Sequence, residues 1–411
     1  MPDLNRFIGT LLSLCVLLLA SCTSDSRDSA LMLSPPTPLD SPASTGSSEP
    51  TLTVGPDGVL HLTWQQAAGD RHELRLSTLH GDDWSPPRTI ASGDDWFVNW
   101  ADFPTFAVLP DGRLAANYLK RHGTGGRYHY DVEVVQSRDG GATWSAPVRP
   151  HRDSVPAEHG FVSLFPEGAD GLGIVWLDGR KYDARFGATE EMALNHTTLS
   201  ADGTLGRENV IDERVCDCCQ TSWAATGQGA VIAYRGRTAD EVRDIHLARN
   251  IGGQWTTGVV HPDGWQIAAC PVNGPAVAAN GDRVAVAWFT AARDTSRVRV
   301  AFSDDAGTTF GPPVEVDSGD PVGRVDVLYL SESRVLVSWL ERVGADVAEI
   351  RARVIGPDGA GEPQLIARSS GTRASGFPRM VRSGETVVFA WTEAGDESHV
   401  RIARSRIEGA R

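Results

Sequence analysis

Basic residues are scarce in this chain. Lys and Arg together number 38 against 53 Asp and Glu, a formal charge of −15, and no basic block occurs. Binding to phosphate backbones needs clustered cations, so the balance argues against a nucleic-acid partner. Apolar runs long enough to cross a bilayer are missing after residue 20, and no stretch shows a sustained helical period of apolar residues. Cysteine is also rare, six in 411 residues. What is present is a composition 41% hydrophobic, with 43 Gly and 24 Pro. That is too apolar for a disordered chain and lacks the period of a collagen; it fits a folded, turn-rich protein.

The first residues read as an address. Arg6 precedes an apolar run from Phe7 to Ala20, the length of a signal-peptide core. The run ends Leu19-Ala20-Ser21-Cys22, which resembles the lipobox of bacterial lipoproteins. The resemblance implies cleavage after residue 21 and a lipid on Cys22. Thr23 follows, where an Asp would resemble an inner-membrane retention signal, so the expected location is the bacterial cell envelope, at the outer membrane. The lipid would be the sole membrane contact. Residues 22–50, rich in Ser, Pro, Thr and Asp, read as the lipidated cysteine and a flexible tether, and residues 51–411 as a single domain.

That domain is one motif written seven times. Each unit carries a short apolar strand, a turn such as Pro-Asp-Gly, and a second strand ending in an aromatic. The aromatics are Trp64, Tyr118, Trp176, Tyr234, Trp288, Trp339 and Trp391, spaced 51 to 58 residues apart. A third strand follows, and usually a fourth. Four strands per fifty-odd residues, in an all-β chain, predict a β-propeller of seven blades, or six if a terminal unit is incomplete. The last unit stops after its third strand. Leu31-Met32-Leu33 is placed to supply the missing one, since an open ring would leave an unpaired edge.

One turn carries a family resemblance. Ser137-Arg138-Asp139-Gly140-Gly141-Ala142-Thr143-Trp144 matches the S-x-D-x-G-x-T-W Asp-box, and Ser303 to Phe310 matches with Phe for Trp. Weaker copies run from Ser77 to Trp84 and from Ala248 to Trp255. Asp is suited to accept hydrogen bonds from turn N–H groups, and Gly to adopt positive φ. The chain therefore resembles the sialidase-like Asp-box (BNR-repeat) propellers. In that family the boxes lie away from the active face.

A propeller's axial mouth is built from the loops entering each first strand and leaving each second strand, and it is the default ligand site. Here those loops carry many charges, Glu158 and His159 among them. The resemblance implies an exo-sialidase-like glycosidase: arginines clamp a substrate carboxylate, a Tyr activated by a Glu attacks, and an Asp serves as acid and base. On that reading Asp102, Asp178 and Glu341 are candidate catalytic residues. His159, Arg180, Arg235, Arg237, Arg293 and Arg342 are candidate ligand-binding residues, and Tyr128, Tyr130 and Tyr182 lie in loops. The Phe/Tyr-Arg-Ile/Leu-Pro motif of sialidases is missing; the nearest text is Phe377-Pro378-Arg379, at the other end of the chain. A ligand-binding propeller without hydrolysis is the companion reading.

The cysteines form a second signal. Without Cys15 and Cys22, four remain: Cys216, Cys218, Cys219 and Cys270. They precede the first strands of adjacent units, so they are expected to meet at the mouth. Disulfides are one outcome in an oxidising compartment. A thiol-redox or soft-metal site for copper or zinc is another, with His159 or His122 as a further ligand. The partners expected from sequence are thus a small molecule or glycan. A third reading is a protein-interaction scaffold, whose protein partners the sequence does not identify.

Overall fold

The computed structural model describes residues 31–123 and 126–409. The expected signal peptide, residues 1–21, and the expected lipidation site, Cys22, lie outside the described residues. The described residues form a seven-bladed β-propeller. Its seven antiparallel sheets span residues 47–93, 106–148, 159–215, 222–261, 276–315, 320–370 and 379–408, the last completed by the N-terminal segment. No described helix is long and apolar enough to cross a membrane.

The apolar strands follow from being clamped between blades. Side chains alternate along a strand, so a strand buried on both faces must be apolar at every position. In Val335–Arg342, Val335, Val337 and Trp339 pack towards the fifth blade, while Leu336 and Leu340 pack towards the seventh. Each of the seven apolar clusters joins two successive blades in this way. One of them sets Leu60, Leu62 and Trp64 of the first blade against Val388, Ala390, Val400 and Ile402 of the last, so the ring is closed.

Closure also corrects the expected tether. Met32 and Leu33 pair with Glu408 and Ile407, and Thr37–Leu39 pairs with residues 402–404. Ser47–Val54 is the innermost strand of the first blade, with Ser47 and Glu49 buried. Residues 32–50 therefore supply strands of the propeller, which extends upstream of residue 51. The Pro- and Ser-rich text that resembles a linker forms an edge strand, where Pro is tolerated because no outer neighbour needs its N–H.

The second blade departs from four full strands. Outside Tyr130–Ser137 only the single bridge Val134–Val148 forms. Pro147 and Pro150 flank that bridge and lack the N–H that a longer ladder requires. Innermost strands of the first, third and sixth blades share another device. Each shifts register near its start, around Glu49, Phe161 and Arg324, and those three residues have φ of 51°, 53° and 54°. Such bulges kink a strand and re-aim its groups, here turning the Glu49, Phe161 and Arg324 N–H groups onto Thr392, Asp102 and Asn273 of other segments.

The turn motif closes as its residues dictate. Asp139 Oδ1 accepts from the Thr143 N–H at 2.9 Å, Asp139 Oδ2 from the Thr143 hydroxyl at 2.6 Å, and the Gly141 N–H donates to Ser137 Oγ at 2.9 Å. Asp305, Thr309, Gly307 and Ser303 repeat the arrangement in the fifth blade. Both turns join a third strand to the segment outside it, at the end of the ring opposite the mouth.

Candidate functional site

The mouth holds a cavity of about 510 Å³ bounded by the loops before the second to fifth blades. Asp102, Tyr130, Glu158, Asp217, Cys218 and Cys270 reach its wall, with Trp100, Tyr128, Arg127 and Arg373 around them. Tyr130 opens the third strand of the second blade, and Phe97 stacks on its ring at 4.0 Å.

At the floor, the Tyr130 hydroxyl lies 2.7 Å from Asp102 Oδ2 and 2.8 Å from Glu158 Oε1. A phenol carries one proton and can donate only once. Both contacts are hydrogen bonds only if one carboxyl is protonated and donates to the phenol oxygen. Asp102 is the natural acceptor, because its other oxygen already takes the Phe161 N–H at 2.7 Å. The protonated partner is then Glu158. Its acidity agrees: burial pushes Glu158 up to about 8, and Asp102, Asp217 and Cys270 add to the rise. Burial also raises Asp102, to about 7, against the pull of its bonds from Tyr130 and Phe161. Tyr130 is held well above the usual phenol value by burial and the two carboxyls.

The backbone is shaped around this chain of three groups. A Cβ at Gly160 would stand 1.9 Å from Asp102 Oδ2 and 2.9 Å from the Tyr130 ring, so only glycine fits. Phe161, next along, sits in the left-handed region at φ 53° and thereby aims its N–H at Asp102. Strain of this kind persists where surrounding contacts over-determine it. Asp102 and Tyr130 are 2% and 0% exposed, whereas Glu158 is only partly buried. Glu158 is therefore the member of the chain that meets a ligand. Across the cavity wall Asp217 is ion-paired to Arg243 at 2.9 Å.

The four cysteines converge as well. Cys216 Sγ lies 3.0 Å from Cys219 Sγ and 3.7 Å from Cys218 Sγ, while Cys218 also neighbours Cys270 and Asp217. All four are free thiols. Burial opposes ionisation of Cys216, but its bonds with Cys218 and Cys219 and the charges of Arg235 and Arg243 hold it well below the usual thiol value.

Several expected site residues lie elsewhere. Asp178 and Glu341 are buried, do not line the cavity, and accept the indole N–H of Trp176 and Trp339 at 2.7 and 2.6 Å. A carboxylate two residues beyond the repeat tryptophan shares its strand face, so each serves as the acceptor for its own blade's indole and neither lines the cavity. None of Arg180, Arg235, Arg237, Arg293 and Arg342 reaches the cavity wall. Arg180 forks onto Asp178, and Arg235 spends its donors on the carbonyls of Asn273, Arg243 and Phe289. Arg237 grips Glu241, Arg342 pairs with Asp320 at 3.3 Å, and Arg293 is exposed on a left-handed turn. The cations at the cavity are Arg127 and Arg373, which the sequence reading passed over.

His159 does not face the cavity or the sulfurs. Its ring stacks on that of His151 at 3.7 Å, and both sit between Asp131 and Asp153. His122 pairs with Asp131 at 3.3 Å. Glu158 stood beside His159 in the same loop of the sequence, but nothing local marked it as the acid. Its partners Asp102 and Tyr130 are distant in sequence and meet it only through the ring.

No protein-family model matches the chain, and no curated protein matches its sequence. Among solved structures it is similar to an unknown-function protein from Dyadobacter fermentans DSM 18053, with TM-score 0.55 and 15% identity over 92% of this chain and 99% of that one. A polysaccharide lyase of family PL25, an ulvan lyase, aligns with TM-score 0.48 and 14% identity over 76% and 80% of the two chains. A mutant of the NanB sialidase from Streptococcus pneumoniae aligns with TM-score 0.46 and 13% identity over 93% and 72%. Likeness at these identities concerns the fold alone.

Proposed function

We propose that this protein is a glycoside hydrolase-type enzyme of the bacterial cell envelope, held by a lipid on Cys22, that acts on an acidic glycan at its axial mouth. One observation carries the chemistry: a single phenol bonded to two carboxyls, so that a proton is stored at the wall of a cavity large enough for a sugar. An enzyme that cleaves a glycosidic bond needs a carboxyl kept neutral near working pH to protonate the departing oxygen, and a second carboxylate that stays charged. Glu158 suits the first role. Asp217, on the other side of the wall and paired with Arg243, suits the second, facing the positive charge that develops on the sugar ring.

Tyr130 and Asp102 stand behind Glu158. When Glu158 gives its proton to the leaving oxygen, the Tyr130 hydroxyl is placed to donate to the new carboxylate. The buried pair thus serves to orient Glu158, and the water that adds to the sugar supplies the proton that restores it. This differs from the tyrosine attack of sialidases, because the Tyr130 oxygen has no exposed surface from which to reach a sugar carbon. Trp100 and Tyr128 offer aromatic faces for a sugar, and Arg127 and Arg373 offer forks for its acidic group. The test is release of product from a panel of chromogenic acidic-sugar glycosides by the full chain and by Glu158→Gln. Release by the first and not the second supports the reading. No release from any glycoside, or equal release by both, overturns it.

A further inference from the structure

The sulfur cluster is not used by the acid chemistry of Glu158. We propose that Cys216, Cys218 and Cys219 form a binding site for a soft monovalent cation of the Cu(I) class. Their three Sγ atoms lie within 4.8 Å of one another, with Cys216 at 3.0 and 3.7 Å from the other two. A disulfide requires about 2.05 Å, so these are separate sulfurs facing a common point. Three sulfurs bound to one metal at about 2.3 Å in a trigonal set stand roughly 4.0 Å apart, a few tenths of an ångström beyond the longer spacing, so binding opens the Cys216–Cys219 pair.

The number of donors selects the metal. Cys270 groups with Cys218 and Asp217 but does not share the mutual spacing of Cys216 and Cys219. No imidazole joins the three sulfurs among the described residues. Zn²⁺ in a structural site completes a tetrahedron, whereas a thiolate-only set of three suits a softer ion that accepts fewer ligands. Charge points the same way. Three thiolates around a monovalent cation leave two negative charges, and two guanidiniums face them: Arg243, whose Nη1 is 3.4 Å from Cys216 Sγ, and the buried Arg235.

The site is built and also reachable. The Cys216 N–H donates to the Arg235 carbonyl at 2.9 Å, which fixes the loop to the central strand of the fourth blade. Cys216 and Cys219 are each 1% exposed, while Cys218 lines the cavity and gives the ion its way in. Binding transfers no electrons: the cation enters and leaves as Cu(I), and each thiol that coordinates it releases its proton to water.

The experiment is anaerobic titration of the full chain with Cu(I), after reduction by a phosphine, in competition with a chromogenic Cu(I) chelator. Folding is checked in parallel by circular dichroism. The expected result is one Cu(I) retained per chain, with a sulfur-only, three-coordinate X-ray absorption signature. Retention should be lost in Cys218→Ser and kept in Cys270→Ser. Cys218 is only partly buried, so its serine variant is the decisive one should Cys216→Ser fail to fold. The proposal is overturned if the reduced chain cedes all Cu(I) to the chelator, if Cys218→Ser retains it equally, or if Zn²⁺ displaces it in a set that requires Cys270.

Discussion

The two ends of the ring treat the same functional group in opposite ways. At the turn end, Asp139 and Asp305 are open to water and collect hydrogen bonds. Donation from the Thr143 side chain and N–H and from Ser137 holds Asp139 at about 2, and the Thr309 N–H and hydroxyl with Ser303 do the same for Asp305. At the mouth, Asp102 and Glu158 lose water faster than they gain donors, and burial lifts them to about 7 and about 8. A carboxylate's proton affinity follows from whether desolvation or donated hydrogen bonds dominate. The turns hold charge in order to fix a chain reversal, and the mouth holds protons in order to pass them on.

The sharpest way to break that comparison is to remove the proton without changing shape. Glu158→Gln is expected to lower kcat by about 10²- to 10⁴-fold on any glycoside the protein cleaves, the range lost with a general acid. Steady-state kinetics on folded protein decides this, and a variant within a few-fold of the parent would end the assignment. The next largest effect concerns stability. Asp178→Ala strips the acceptor from the buried Trp176 indole and removes one of the three carboxylates around Arg180, which keeps Glu208 and Asp153, and is expected to cost about 1–3 kcal/mol in denaturant unfolding, the penalty of an unsatisfied buried donor. Its activity per folded molecule should be retained, because Asp178 is outside the cavity.

A third effect follows from linkage. Glu158 binds its proton more tightly folded than unfolded, so its contribution to stability is fully present below pH 4.5 and is lost as pH rises to about 8. Asp102 behaves alike between 3.8 and about 7. Unfolding free energy should therefore fall across this window, and the fall should be shallower in Glu158→Gln. A slope unchanged by the substitution would show that Glu158 titrates normally. The smallest effect is expected at the other end. Asp139→Ala should lower the unfolding midpoint less than Asp178→Ala does and leave kinetics untouched, since its partners Ser137 and Thr143 belong to one exposed turn. A loss of activity in Asp139→Ala would erase the division between the two ends.

Much of the architecture is legible in the text because its causes are short-range. A Trp or Tyr every fifty-odd residues, short apolar strands and the Ser-x-Asp-x-Gly-x-Thr turns all act within one blade. The same local logic misled at Asp178 and Glu341. Each sits two residues past a repeat tryptophan, and that spacing marks an indole acceptor on the same strand face rather than an acid. The arginines misled for a related reason: a guanidinium at a strand end is as readily consumed by carbonyls, as at Arg235, as offered to a ligand.

The sequence by itself determined the all-β repeat and the propeller, and narrowed the blades to seven or six, since strand patterning and turn bonding need only neighbouring residues. The tertiary structure alone decided which carboxyl keeps a proton, that residues 37–54 belong to the blades and not to a tether, and how closely three sulfurs approach. Those outcomes depend on water removed and charges supplied by segments far apart in the chain, and pattern within one segment carries no record of either.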